Sequence, residues 1–238
     1  MADIDEAVRS GAHGVAADGL EVVSYRTATK VRIYRRILRK LFADLWQRGL
    51  PISWLDVGAG YGEVVEAVSA LAPAGSRIEG IEPMQPKARA ARARGLAVNN
   101  EYLRPDHAKV DVVSVIDVFS HIPDFAQFLS VISRVLTPRG EVFIETGNLA
   151  DLDRRDEFPG ELGLPDHLVF AGEKHLVGYL ERAGFDVLTV RPARIDGLFN
   201  LAKNVVKCLM GRPGAIRMPY TSRYRQLRIR ARLRDKGL

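Results

Sequence analysis

The sequence predicts an α/β protein in which a mostly parallel sheet carries helices on both faces. Strand-like apolar runs and amphipathic helical stretches alternate from residue 53 onward, the pattern that builds parallel sheets through crossover helices. The segment WLDVGAGYGEVVEAVSALAPAGSRIEGIEPM, residues 54–84, reads as a strand, a glycine-rich turn, an amphipathic helix and a second strand closing on Glu82. The 238 residues form one domain of ordinary size, long enough to bury a full core.

The elements follow in order. Residues 1–22 have few periodic apolar positions and are expected to be loosely ordered. From Thr27 to Gln47 a helix is expected, with Tyr34, Ile37, Leu38, Leu41, Phe42, Leu45 and Trp46 on one face and Gly49 to Pro51 stopping it. Arg32, Arg35, Arg36, Arg39 and Lys40 fall mainly on its other side. A solvated face is the plainer reading of these cations, a role toward substrate charge the alternative. Strands are expected near 53–57, 77–82, 96–99, 111–117, 140–146 and 185–190, and helices near 62–72, 86–94, 123–136 and 173–183. The stretch 148–170 is rich in Gly, Pro and Asp, and a loop that long in a compact domain is usually functional. A helix from Leu198 to Met210 should follow, then a Gly/Pro turn. The closing YRQLRIRARLR alternates Leu227, Ile229, Ala231 and Leu233 with Arg228, Arg230, Arg232 and Arg234, which is the period of a strand.

Charge divides the chain. Residues 1–190 carry 22 Lys/Arg against 27 Asp/Glu, whereas residues 191–238 carry 13 against 2. A basic tail could bind nucleic acid phosphates. Beyond Tyr220 and Tyr224 it lacks aromatic stacking platforms, so a strand edge whose arginines reach solvent or pair with the acidic body is preferred. No apolar stretch approaches the ~20 residues that span a bilayer. The opening MADIDEAVRS is acidic and lacks an apolar signal core, and a single cysteine, Cys208, excludes an internal disulfide; a cytoplasmic protein is expected.

The turn Asp56-Val57-Gly58-Ala59-Gly60-Tyr61-Gly62-Glu63 is GxGxG, not the GxGxxG of dinucleotide sites. A dinucleotide brings a doubly charged pyrophosphate to the helix N-terminus. Asp56 and Glu63 would repel it, yet would suit a cationic ligand carrying an ammonium group. S-adenosylmethionine is such a ligand, with a sulfonium, an amino acid and an adenosine but no phosphate. Glu82, 26 residues after Asp56, would accept the ribose hydroxyls. A ligand-free tight turn and a nicotinamide-dependent oxidoreductase are the competing readings.

LDVGAGYG followed by GIEPM resembles the first motif and the acidic second-strand end of class I S-adenosylmethionine-dependent methyltransferases. VDVVSVIDVFSHIPD (110–124), LTPRGEVFIET (136–146) and HLVGYLERAGFDVL (175–188) fit the same family in order, strongest toward its ubiquinone-type O-methyltransferase group. The resemblance implies a Rossmann-like seven-stranded sheet with an antiparallel last strand, for which 224–234 is the candidate, and an N-terminal cap helix over the cofactor cleft. It divides the single domain into a cap segment 1–50, a cofactor-binding core 51–190 and a basic extension 191–238. It also implies that Asp56, Gly58, Ala59, Gly60, Tyr61 and Gly62 hold the methionine portion and Glu82 the ribose. Pro83 and Met84 would border the adenine, and Glu101 and Tyr102 stand where the third strand usually delivers a polar group to its amine. The family's usual Asp-Leu or Asp-Val pair is missing there. Asp117, Val118 and Phe119 would border the transferred methyl.

An alcohol acceptor must lose a proton as its oxygen attacks, which calls for a nearby base, and His suits neutral pH. His167 in the long loop is the first candidate, with Asp166 as an orienting neighbour. His121, opening the helix after the fourth strand, is the second. Glu145, Asp151, Asp153, Asp156, Glu157 and Asp166 leave a hard cation such as Mg²⁺ open without a recognisable ligand spacing. The expected activity is methyl transfer to oxygen on a small molecule or saccharide. RNA methylation, and cofactor binding without catalysis, are the alternatives.

Overall fold

The computed structural model describes residues 20–147, 172–193, 205–206, 209–210 and 226–235. Its strands are β1 (Ser53–Val57), β2 (Arg77–Ile81), β3 (Val98–Asn99), β4 (Val110–Ile116), β5 (Leu136–Gly147), β6 (Phe185–Ala193) and β7 (Gln226–Leu233). They form one seven-stranded sheet in the order β3-β2-β1-β4-β5-β7-β6. β1 to β5 pair in parallel, while β7 runs antiparallel to both β5 and β6. The C-terminal ends of five parallel strands therefore share one rim, and the sheet reverses direction outward from β1, where ligands of open α/β sheets bind.

The helices are α1 (Leu20–Leu41), α2 (Ala43–Arg48), α3 (Glu63–Ser69), α4 (Gln85–Ala93), α5 (Phe125–Val135) and α6 (Glu173–Arg182). Strand alternation splits the core between two faces. Leu55, Val113, Val115, Val142, Ile144, Leu227 and Ile229 pack with Leu129 and Ile132 of α5 and Leu176 and Leu180 of α6. Trp54, Val112 and Phe143 face the other way, onto Leu38, Leu41 and Phe42 and onto Val64, Ala67 and Val68 of α3.

The cap helix differs from expectation at both ends. It begins at Leu20, inside the stretch expected to be loose, and breaks at Phe42, where φ −113° and ψ 29° leave the helical region. The break has a packing cause. Phe42 is fully buried, with its ring 4.9 Å from Trp54 and 6.0 Å from Phe143. Trp46 stacks on Trp54 at 6.1 Å while its indole N–H donates to the Leu38 carbonyl. Buried aromatics of this size contribute ~1.5–3 kcal/mol each, more than one lost helical turn costs. Gly49 then ends α2 in the left-handed conformation, as expected.

The arginine strand needs a correction. It is not a sheet edge: β7 is inserted between β5 and β6, which is the edge. Register explains how the arginines tolerate this, because Arg232 lies opposite Glu141, Arg230 opposite Phe143 and Arg228 opposite Glu145. Arg230 is buried and donates to Glu141 at 2.6 Å, to the Leu41 carbonyl at 2.6 Å and to both Asp44 oxygens at 2.7 and 2.8 Å. Its guanidinium also sits 4.4 Å from the Phe42 ring centre. Arg232 shares Glu141, and Arg228 bonds Glu145. The arginines thus pair with the acidic body, one of the two expectations, and the buried Arg230 clamps the cap helices to the sheet.

Smaller differences are local. β3 has two residues, β5 starts four residues early at Leu136, and β6 runs three residues past 190. The expected helix 198–210 lies mostly outside the described residues. No helix among the described residues is long and apolar enough to cross a membrane.

Candidate functional site

The rim after β1, β2, β4 and β5 gathers the singled-out residues. β1 delivers Asp56, which is buried and accepts a hydrogen bond from the Ser114 hydroxyl at 2.5 Å. Ser114 in turn accepts from the Trp54 indole at 2.8 Å. Burial pushes the Asp56 carboxyl up to about 8, against that hydrogen bond, and the nearby charges of Glu63 and Glu82 push the same way.

The loop then turns through three left-handed glycines, Gly58, Gly60 and Gly62. At Gly58, φ is +73° and an added Cβ would lie 2.3 Å from Val118 Cγ2, so both the conformation and the space require glycine. The Gly58 and Ala59 N–H groups bond the Ile81 carbonyl at 2.9 and 3.0 Å, tying the loop to β2. Tyr61 donates its N–H to Glu63 Oε2 at 3.2 Å and accepts from Arg94 at 2.6 Å.

Glu82 is buried behind this loop. One carboxylate oxygen accepts the Gly60 N–H at 2.7 Å and the other the Met84 N–H at 2.8 Å. Each oxygen keeps a lone pair, enough for a vicinal diol. Asn100, not singled out in the sequence, donates to the Glu82 and Pro83 carbonyls at 2.9 and 2.7 Å and holds the β2 and β3 ends together. Met84 is buried at the start of α4. Glu101 is turned to its own loop, 3.2 Å from Arg104 and 3.4 Å from the His107 ring, and Tyr102 is exposed.

After β4, Asp117 has φ +53°, rare for a residue with a side chain, and its N–H donates to the Glu145 carbonyl at 2.8 Å. Unusual backbone of this kind clusters at ligand sites. Val118 covers Gly58, whereas Phe119 turns inward, 4.3 Å from Phe125 in the core. His121 corrects another expectation, since it does not open a helix. It ends a short 3-10 turn, Phe119–His121, with an exposed side chain, and α5 starts only at Phe125. Pro123 holds Ile122 extended, so Asp124 becomes the cap and accepts the Gln127 N–H at 2.9 Å. His167 and Asp166 lie outside the described residues.

Two groups complete the rim that sequence reasoning missed. Tyr34 of α1 reaches over the sheet and donates its hydroxyl to Glu145 at 3.4 Å. Burial raises its pKa well beyond the ordinary phenol range, and the charges of Glu145, Asp117, Asp56 and Glu63 add to this. The signal in the sequence was only an aromatic within an apolar stripe. Ser114 was more legible, as the one hydroxyl in the buried run VVSVI. Glu145 is itself pushed up by burial against the pull of Arg228. Among the described residues, no cluster of His, Cys, Asp or Glu is placed to hold a metal.

This rim is a carboxylate-lined crevice around a glycine turn, with Lys30 3.8 Å from Glu63 at its exposed side. Mutual repulsion among Asp56, Glu63 and Glu82 is relieved by a cation and worsened by a pyrophosphate. The donor set therefore fits a ligand carrying a sulfonium and an ammonium.

Residues 28–190 match the model of a family described as a methyltransferase domain. The chain is 26% identical over 152 residues to the ubiquinone biosynthesis O-methyltransferase of Pseudoalteromonas translucida, covering 56% of this chain and 63% of that protein. It is 27% identical over 132 residues to the C-methyltransferase NovU of Streptomyces niveus, covering 52% of this chain and 31% of that protein. The chain thus spans less than two thirds of either relative. Its fold is similar to that of the 1,6-didemethyltoxoflavin-N1-methyltransferase of Burkholderia thailandensis, solved with S-adenosylhomocysteine, at TM-score 0.59 and 16% identity over 98% of this chain and 87% of that one. The glycine turn, the acid that follows β2 and the sheet order thus sit within one known lineage, and the chain belongs to the class I S-adenosylmethionine-dependent methyltransferase family.

Proposed function

We propose that this chain transfers a methyl group from S-adenosylmethionine to a hydroxyl oxygen of a small molecule or saccharide. The observation that carries the reading is the acid-lined crevice of Asp56, Glu63 and Glu82 around the left-handed glycine turn. When bound, the cofactor supplies a methyl already activated by the sulfonium, so the chain's own work is alignment, exclusion of water and removal of a proton. In this reading Asp56 and the backbone of Gly58, Ala59, Gly60, Tyr61 and Gly62 hold the methionine portion. Glu82 holds the ribose diol, Pro83 and Met84 flank the adenine with Glu101 and Tyr102 beyond, and Asp117, Val118 and Phe119 shape the floor beneath the methyl.

His167 takes the acceptor's proton, and His121 is the alternative base. The 148–170 loop, α1 and the chain between β6 and β7 build the acceptor pocket. The single cysteine supports a cytoplasmic setting. The RNA reading loses its motive, because Arg228, Arg230 and Arg232 are engaged by Glu145, Glu141 and Asp44. A carbon acceptor is the second reading, favoured by the likeness to a C-methyltransferase.

Calorimetry with S-adenosylmethionine and S-adenosylhomocysteine tests the cofactor, and a panel of hydroxylated acceptors tests transfer. His167→Ala is expected to abolish turnover while preserving cofactor affinity. Near-normal turnover in that variant rejects the base role, and binding of a nicotinamide nucleotide in place of the methyl donor rejects the whole reading.

A further inference from the structure

We propose that the groove between α1 and the arginines of β6 and β7 holds a phosphate or diphosphate group belonging to the methyl acceptor. The inference rests on the functional reading above and adds the acceptor's chemical class. Two adjoining grooves carry it. One, of about 520 Å³, runs along α1 alone, lined by Arg32, Ile33, Arg35, Arg36, Arg39 and Lys40. The other, of about 170 Å³, is lined by Arg36, Lys40, Arg191 and Arg228, with Ile37 and Leu41 beneath. Arg36 and Lys40 belong to both.

These cations are unlike their neighbours. Arg228, Arg230, Arg232 and Arg234 each face a carboxylate. The side chains of Arg32, Arg35, Arg36, Arg39, Lys40 and Arg191 make no ion pair or hydrogen bond with another described residue. All five on α1 also repel along the helix at i,i+4 spacing, in the pairs Arg32–Arg36, Arg36–Lys40 and Arg35–Arg39. A helix holding this much uncompensated charge in a concave surface is suited to an anion that would relieve it.

Position links the groove to the reacting centre. Arg228 lines the groove and bonds Glu145, which accepts from Tyr34 at the crevice. Acid crevice and basic groove therefore meet at the Arg228–Glu145 pair. The opposed signs sort the two substrates, with the cationic donor repelled from the groove and an anionic acceptor repelled from the crevice. Several separate cations with forked guanidinium donors match a phosphate better than a single carboxylate. The groove lining contains no aromatic side chain on which bases could stack, which disfavours a nucleic acid strand.

The test titrates inorganic pyrophosphate, and separately S-adenosylhomocysteine, into the full chain by calorimetry. Wild type, Arg36→Ala/Lys40→Ala and Arg36→Lys/Lys40→Arg are compared. Pyrophosphate should bind wild type, weaken by about tenfold or more in the alanine pair and recover in the conservative pair, with S-adenosylhomocysteine affinity unchanged. Equal pyrophosphate binding by wild type and the alanine pair overturns the proposal. So does binding of RNA or of phosphatidylglycerol vesicles through Arg36 and Lys40 with no pyrophosphate binding. If wild type binds pyrophosphate through these residues and ignores S-adenosylhomocysteine, the groove stands and the functional reading fails.

Discussion

Replacing Asp56 by Asn should make the protein more stable at neutral pH and less able to hold its cofactor. Asp56 is buried, and its carboxyl is pushed up to about 8 from an ordinary value of 3.8. The folded chain keeps this proton while the unfolded chain releases it, so stability falls as pH rises between these two values and is level above the upper one. At pH 7 the interval covered is about 3 pH units, each ~1.4 kcal/mol, or roughly 4 kcal/mol. Asn retains an oxygen for the Ser114 hydroxyl. Its amide N–H₂ is a new buried donor, which costs ~1–3 kcal/mol if unmet. The variant should therefore gain roughly 1–3 kcal/mol at pH 7, with the advantage shrinking by ~1.4 kcal/mol per pH unit on acidification and vanishing between about pH 5 and pH 6. Urea unfolding of both proteins from pH 5 to pH 9 measures this. Cofactor affinity, followed on the same samples, should drop by about tenfold or more, because the amide cannot ionise against a cationic ligand as the carboxyl can. A difference in stability that does not change with pH would refute the reasoning, because the buried proton would then not exist.

Arg230→Met should lower stability by ~3–5 kcal/mol, since it strips Glu141 and the Leu41 carbonyl of a buried partner. Asp44→Ala should cost only about 1 kcal/mol, because that carboxylate is nearly half exposed; thermal unfolding compares the two. Gly58→Ala places a methyl 2.3 Å from Val118 Cγ2 at φ +73°, and S-adenosylhomocysteine binding should be lost. Val118→Ala in the same chain should restore part of it, leaving a backbone strain of ~1–3 kcal/mol readable in the unfolding midpoint. Tyr34→Phe removes the hydroxyl from Glu145 and should cost ~0.5–1.5 kcal/mol in urea unfolding.

Much of the site was legible because its parts are local. A strand, a tight turn and a helix N-terminus lie within residues 53–69, so Asp56, the three glycines and Glu63 could be placed together from spacing alone. Glu82 followed because the next parallel strand must end at the same rim. Tyr34 was not legible: it meets Glu145 across 111 residues, and only packing of α1 on the sheet brings them together. His121 was expected to open the helix after the fourth strand, whereas Pro123 sets the backbone of Ile122 and delays the helix to Phe125.

The alternation of Arg and apolar residues in 227–234 sufficed to define a strand with two unlike faces, and the glycine spacing sufficed to define a tight strand-to-helix turn flanked by Asp56 and Glu63, because both depend on neighbours two to eight residues apart. Where that strand goes, and what its arginines do, depended on partners over 80 residues away. Only the three-dimensional sheet sets Glu141 and Glu145 opposite Arg232 and Arg228 and brings Asp44 onto Arg230. In sequence those arginines read as a strand edge open to solvent or paired with the acidic body; the fold decides for pairing and names the partners, Glu145, Glu141 and Asp44.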